Sequence, residues 1–486
     1  MNERLAFNTA GSAARRRRRR APAYLPMFRY QRPAPPPPAG AAAVPFDVRS
    51  LPQTVWDWRG LLGFTAVVFL RPQDQVPALT PLHLAEVFAL IGLTALVFGR
   101  LARGLAPAHV TTELLALAGF GAAILLGVPF SVWPGGAMSV FLDIYLKLFV
   151  IFALMVATLN RPQRIEQFAF LVVLFSGYIS LRAVVDWVRG TNLVGDGRIE
   201  GSVSGMFGNP NDLALNMVVF LPFALLFAFK PGPALRRGAA GVAALTMVAT
   251  VVLSGSRGGA VGLVAMMLVL IARSVRVRPS VAAGALLAVL VAIPLAPPTF
   301  WDRMVSIVDA RRDTTGSRQA RIDLLEEAWN VFLAFPVTGV GAGQFLNYNP
   351  PDRREAWHVT HNAFLEVASE TGVVGLLPFL IFLGSGALAP GVARRALRGR
   401  RTRPRPGAER PRGESPPDPE RESLILMSTA LAPSIVGWIV CAQFASVALN
   451  WTLYYVLAIA VATREVALAH AARTQADGRP VEHAAA

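Results

Sequence analysis

Apolar stretches of roughly 17–25 residues, the length needed to cross a hydrocarbon core of ~30 Å as a helix, recur along nearly all of this 486-residue chain. In lipid, only helices and closed barrels satisfy every backbone N–H and C=O. A barrel would need short alternating segments, and these runs are continuous. A soluble protein of this size would interrupt them with polar residues at helical period. Composition agrees, with 53% hydrophobic residues, 16% charged residues and a mean hydropathy of +0.46. The fold class is an all-α polytopic membrane protein.

The hydropathy pattern predicts twelve spans, near 56–70, 82–99, 110–130, 137–159, 165–187, 212–229, 239–254, 258–272, 281–297, 362–389, 424–443 and 446–463. The first is short, and the junctions near 255 and 445 are tight. Loop charge orients the threading. With the basic N-terminal tail inside, the short inner loops hold Arg100, Arg103, Arg161, Arg164, Lys230, Arg236, Arg237, Arg273, Arg276 and Arg278. The short outer loops hold only Arg71, Arg189, Arg198 and Arg257, the asymmetry the positive-inside rule demands. Residues 1–50 then form a disordered basic, Pro-rich cytoplasmic tail, too polar for a signal-peptide core. Nine spans fill 51–297, a large outer loop takes 298–361, and the tenth span follows at 362–389. A basic Pro-rich cytoplasmic loop (390–423), two last spans (424–466) and a cytoplasmic tail (467–486) complete the chain.

The net charge of +17 is placed against nucleic-acid binding. Much of it lies in "ARRRRRR" and in the Arg-rich stretch 394–413, flanked by Pro and Ala without aromatic interleaving. Such tracts beside spans anchor to membrane lipids and set topology. The single Cys441 excludes an intrachain disulfide and reads as a buried thiol. The six histidines show no metal-ligand spacing, so neither metal nor cofactor is expected.

Three outer stretches carry the chemistry-bearing residues: 189–214, the tight turn "SGSRGG" at 254–259, and the long loop 298–361. In the long loop, Ile322, Leu325, Trp329 and Phe332 recur at helical spacing, with Asp323, Glu326, Glu327 and Asn330 opposite. That pattern predicts an amphipathic interfacial helix ending before Pro336. Arg257 sits among glycines that let a ligand approach closely, and its planar fork matches phosphate oxygens. An arginine at an interface also serves as a snorkelling anchor. His361, with Asn362, stands at the mouth of the tenth span, as a cap or as a general base near neutral pH. His358 competes for the base, and Glu366 and Glu370 could orient either histidine or complement the helix dipole. Asn209, Asn211 and Asp212 could cap a helix, or the asparagines could hydrogen-bond a sugar. Asp143 with Lys147, and Arg182 with Asp186, read as charge compensation along single helices. An outward Arg/His set fits a reaction on a phosphorylated lipid, in which cations stabilise a diphosphate leaving group and a base deprotonates an incoming hydroxyl.

"GNPNDLA", "SGSRGG", the unit from Arg321 through "PVTGVGAGQF", and "HNAFLEVASETGVVGLL", in that order over about residues 200–380, resemble the O-antigen ligase and polymerase superfamily. The resemblance implies a twelve-helix fold with a large periplasmic loop in the bacterial inner membrane, both termini cytoplasmic. It implies metal-independent, inverting transfer of glycan from undecaprenyl diphosphate. By matching motifs, Arg257 and Arg321 would bind diphosphate and His361 would activate the acceptor hydroxyl. Gln319 and Ala320 precede Arg321, where the family often has Ser-Gly, and Leu325 replaces a tryptophan, so Arg318 is the alternative second ligand.

A ligase delivers the glycan to lipid A–core, a polymerase to another lipid-linked glycan, and a third variant to a protein hydroxyl. The compact outer loop favours the ligase. A twelve-helix transporter, the reading from another class, would show repeated halves and midplane charge, whereas here no repeat is evident and the notable charges crowd one face.

Overall fold

The computed structural model describes residues 55–195, 197–202, 207–275, 277–306, 309, 317–398 and 418–477. The predicted N-terminal tail (1–50), residues 399–417 of the basic Pro-rich loop and residues 478–486 lie outside the described residues.

The chain runs α1 Val55–Leu70, α2 Pro72–Gln75, α3 Leu84–Leu101, α4 Thr112–Gly127, α5 Pro134–Ser139, α6 Leu146–Thr158 and α7 Pro162–Arg189. After a small hairpin, β1 Leu193–Val194 against β2 Arg198–Ile199, come α8 Pro210–Phe229, α9 Ala234–Leu253, α10 Arg257–Ser274, α11 Pro279–Leu295 and α12 Pro298–Val305. The rest is α13 Ser317–Ala334, α14 Ala363–Leu397, α15 Pro419–Cys441 and α16 Trp451–Asp477. Among the described residues, 10 helices are long and apolar enough to cross a membrane; α1 has 16 residues and α11 has 17. These two short helices stand where the first and ninth spans were predicted. The protein is an all-helical polytopic membrane protein.

α8, α15 and α16 form the interior, with Phe220, Phe223, Trp438, Tyr454 and Tyr455 fully buried. A polar chain crosses this apolar mass from α7 to α16. Ser176 Oγ of α7 donates to Asn216 Oδ1 of α8 at 3.2 Å, and Asn216 Nδ2 donates to Thr452 Oγ1 of α16 at 3.1 Å. Cys441 is buried against Gly258.

Side-chain contacts mark two ends of the bundle. At one, Lys230 and Arg236 pair with Glu166, Arg278 pairs with Glu422, and His470 meets Asp418 at 2.8 Å. At the other lie the 254–257 turn, the hairpin, α12, α13 and the N-terminus of α14.

Several local readings are corrected. Lys147 pairs across to Glu86 of α3 at 2.8 Å rather than along its own helix to Asp143, because a π turn at Val140–Tyr145 changes the register between them. Asp186 accepts from Asn192 Nδ2 at 2.8 Å. The face by which α13 packs is Leu324, Ala328 and Val331, buried against Val340 and Phe345, whereas Ile322 and Trp329 are exposed. Beside a membrane, apolar side chains have other places to go than the protein core, so the strongest apolar stripe need not be the packed one.

Candidate active site at one end of the bundle

The 254–257 turn is built to present Arg257. Ser254 ends α9, Gly255 takes a left-handed φ of 57°, and Ser256 caps α10 by accepting from Gly259 N at 3.1 Å. The turn is braced from outside: Arg198 Nε donates to Ser254 O at 2.8 Å, and Arg303 Nε donates to Gly255 O at 3.0 Å. Asn211 Oδ1 accepts from both Ser256 Oγ (2.9 Å) and Arg198 (3.1 Å). Arg257 thus starts α10 with its guanidinium at the positive end of that helix, donating to Ser306 Oγ at 3.1 Å. It is only 8% exposed, which rules out a snorkelling anchor whose head lies among lipid phosphates. Gly258 is required by close approach, since a Cβ there would stand 2.6 Å from Phe444 Cβ.

His361 is fixed by the loop before α16. Its backbone N–H donates to Ser446 Oγ at 2.9 Å, the same hydroxyl that meets Thr360 Oγ1 at 3.0 Å. Ala363 N donates to Ala442 O at 2.9 Å. His361 has a left-handed φ of 52°, a conformation a non-glycine residue keeps only when its surroundings enforce it. Asn362 caps α14, accepting from Phe364 N and Leu365 N.

Arg257, Arg318, Arg321 and His361 line one cavity of about 220 Å³ together with Ile322, Leu325, Gln443 and Phe444. Arg318 and Arg321 lie one turn apart on α13, and both line this cavity. No carboxylate is among the described lining residues. Burial first, then the positive charge of Arg321 and the neighbouring His358, push the His361 imidazole down to about 4. Neutral imidazole, a proton acceptor, is therefore the resting form at pH 7. His358 is exposed and is not among the residues lining the cavity, its Nδ1 lying 2.9 Å from Ala356 O.

An apolar groove of about 530 Å³ adjoins this cavity, sharing Val261 with it and walled by Val251, Val264, Phe300, Trp301 and Met304.

The Gly-rich turn after α13 holds the arrangement from behind. α14 is broken at Gly372 (φ 60°, ψ −165°), and the turn docks into the break. Val340 N donates to Ser369 O at 3.0 Å, Gly341 N to Glu370 O at 2.9 Å, and Val373 N to Pro336 O at 2.8 Å. A side chain at Gly339 would strike the Glu370 backbone at 2.3 Å. The Glu370 carboxylate accepts from Gly343 N (2.6 Å) and Phe345 N (3.3 Å), and Glu366 accepts from Ala448 N at 3.2 Å. Both glutamates thus hold loop backbone and neither orients a histidine.

Asn209 caps α8 by accepting from Asn211 N and Asp212 N, both at 2.9 Å. Asn209, Asn211 and Asn362 are spent on caps and on the arginine-bearing turn, and none lines the cavity. Gln443, Phe444 and Ser446 were missed by sequence reasoning; their signal is the polar break "AQFAS" between the last two spans. Arg353 was missed too: it stacks on the Phe345 ring at 4.3 Å and bonds Glu327 of α13 at 3.2 Å, joining the loop to that helix.

Residues 242–380 match the family model Wzy_C, described as O-Antigen ligase. No curated protein matches the chain significantly. The matched stretch contains Arg257, Arg318, Arg321, the Gly-rich turn and His361, so this polytopic membrane protein carries an O-antigen ligase family domain over residues 242–380.

Proposed function

We propose that the protein is a glycosyltransferase at the periplasmic face of a bacterial inner membrane, transferring glycan from undecaprenyl diphosphate to lipid A–core as an O-antigen ligase does. One observation carries the reading: three arginines and a half-buried histidine surround a single cavity beside an apolar groove. Arginine forks match diphosphate oxygens, and the groove suits the polyprenyl chain of the same donor. His361 takes the proton of the acceptor hydroxyl, the oxygen attacks the anomeric carbon from the face opposite the diphosphate, and the bond to diphosphate breaks with inversion. The leaving electron pair stays on the diphosphate, stabilised by Arg257, Arg318 and Arg321. Bound diphosphate also offsets the arginine charge and raises the proton affinity of His361 when a base is needed.

The test is transfer by purified protein in detergent with EDTA, from undecaprenyl-diphosphate glycan to rough lipopolysaccharide. Wild type transfers, and His361→Ala loses ~10²–10⁴ in rate, the usual worth of a general base, while its melting temperature is unchanged. Near-normal transfer by His361→Ala overturns the assignment of the base. Lengthening of the lipid-linked glycan instead identifies a polymerase using the same site. A donor neither bound nor consumed overturns the transferase reading in favour of transport.

A further inference from the structure

A second cavity, of about 450 Å³, opens between the C-terminal end of α1, the 71–83 connection, the start of α3, the π turn and Trp451. We infer that it is a glycan subsite which holds uncharged, hydroxyl-rich sugar residues of the acceptor; the inference rests on the transferase reading above.

Backbone irregularity concentrates here. Arg71 and His83 both line the cavity, and both have a left-handed φ of 42°. Of the five non-glycine residues with positive φ among the described residues, these are two, and His361 is a third. The π turn that carries Asp143 is the other wall. Such irregular conformations cost free energy and gather where a ligand is held.

The lining chemistry selects the ligand. Its two cations are each matched: Arg71 Nε to Asp74 at 2.6 Å and Lys147 to Glu86 at 2.8 Å. Asp143 is a third carboxylate, with no hydrogen-bond partner among the described residues, and Gln73 Oε1 is a buried acceptor without a donor. The surplus is of acceptors and of negative charge, so an anion is disfavoured. A polyol, whose hydroxyls donate, is suited. Trp451 adds an aromatic wall, its ring 5.4 Å from that of Phe64, on which the C–H face of a sugar packs.

The cavity is also tied to the base. Ser446, which accepts from His361 N, is five residues before Trp451, at most roughly 18 Å of extended chain, and the Asn450 N to Val447 O turn shortens that path. That separation is within the length of a glycan of a few sugar units.

Two probes distinguish the sources of such a glycan: delipidated lipopolysaccharide core oligosaccharide and free O-repeat oligosaccharide. Calorimetric titration of each into wild type, Asp143→Asn and Trp451→Phe is paired with steady-state transfer. Expected is binding of one probe by wild type, a Kd raised at least about tenfold in Asp143→Asn, and a matching rise in acceptor KM with donor KM and melting temperature unchanged. Trp451→Phe keeps the ring packing and weakens binding less. Wild-type affinity and acceptor KM in both variants would overturn the subsite while leaving the transferase reading intact. Binding without transfer would overturn the transferase reading alone, and absence of both would overturn the two together.

Discussion

The two ends of the helical bundle both carry arginine, and they use it differently. At the basic end, cations meet carboxylates: Lys230 and Arg236 with Glu166, Arg278 with Glu422. At the opposite end, Arg257, Arg318 and Arg321 line a space with no carboxylate among its described lining residues. Arginines gathered round a cavity place their planar donors where an anionic ligand can meet them. Glycine turns, caps and backbone contacts fix the site end. On the proposed function, the chemistry belongs to the end where arginines line a cavity.

That contrast can be broken by substitution. After His361→Ala, the largest effect belongs to Arg257→Lys. An ammonium cannot replace a bidentate fork, and loss of one charge-assisted hydrogen bond, about 1.5–3 kcal/mol, lowers kcat/KM by about 10- to 100-fold, read in the transfer assay. Glu370→Ala leaves Gly343 N and Phe345 N without their acceptor, at about 1–3 kcal/mol for each stranded group. It should lower the melting temperature in detergent, and an unchanged melt would show that the Gly-rich turn is held by its backbone bonds alone. Arg321→Gln removes a positive charge that disfavours protonated His361. The acidic limb of kcat/KM, which reports the free enzyme, should therefore move up from about 4 toward ~6.5, so activity is lost earlier as pH falls. A limb that stays in place would remove Arg321 from the electrostatics of the base. The smallest effect is expected from Arg278→Ala, a partly exposed pair at the basic end, worth under about 1 kcal/mol with transfer unchanged. A large loss of transfer there would erase the distinction between the ends.

Much of this was legible in the sequence because the bilayer imposes a simple rule on span length. The predicted spans recur as ten full-length helices and the short α1 and α11. Arg257 could be singled out as a costly residue in a glycine-rich turn between apolar spans, and His361 as an imidazole at the mouth of a span, whereas Arg321 and its alternative Arg318 came from the family resemblance. What escaped had its partner far away in the chain or on the backbone. Glu370 serves two amides 25 and 27 residues earlier, and Lys147 finds Glu86 61 residues away, pairings no local spacing reveals. The packed face of α13 escaped for a different reason: Ile322 and Leu325 line the cavity while Leu324 and Ala328 do the packing, and both stripes are apolar.

The break at Gly372 has a mechanical consequence. α14 has 35 residues, and unbroken it would be about 52 Å long at 1.5 Å per residue, far more than the ~30 Å of hydrocarbon it must cross. Interrupted at Gly372, it leaves about 25 residues, roughly 37 Å, to traverse the lipid. The Gly-rich turn bonds both sides of the break, to Ser369 and Glu370 on the nine-residue stub and to Val373 on the long segment. The break is thus a splint: a span of ordinary length crosses the lipid, and the stub that follows His361 and Asn362 keeps a fixed angle to it.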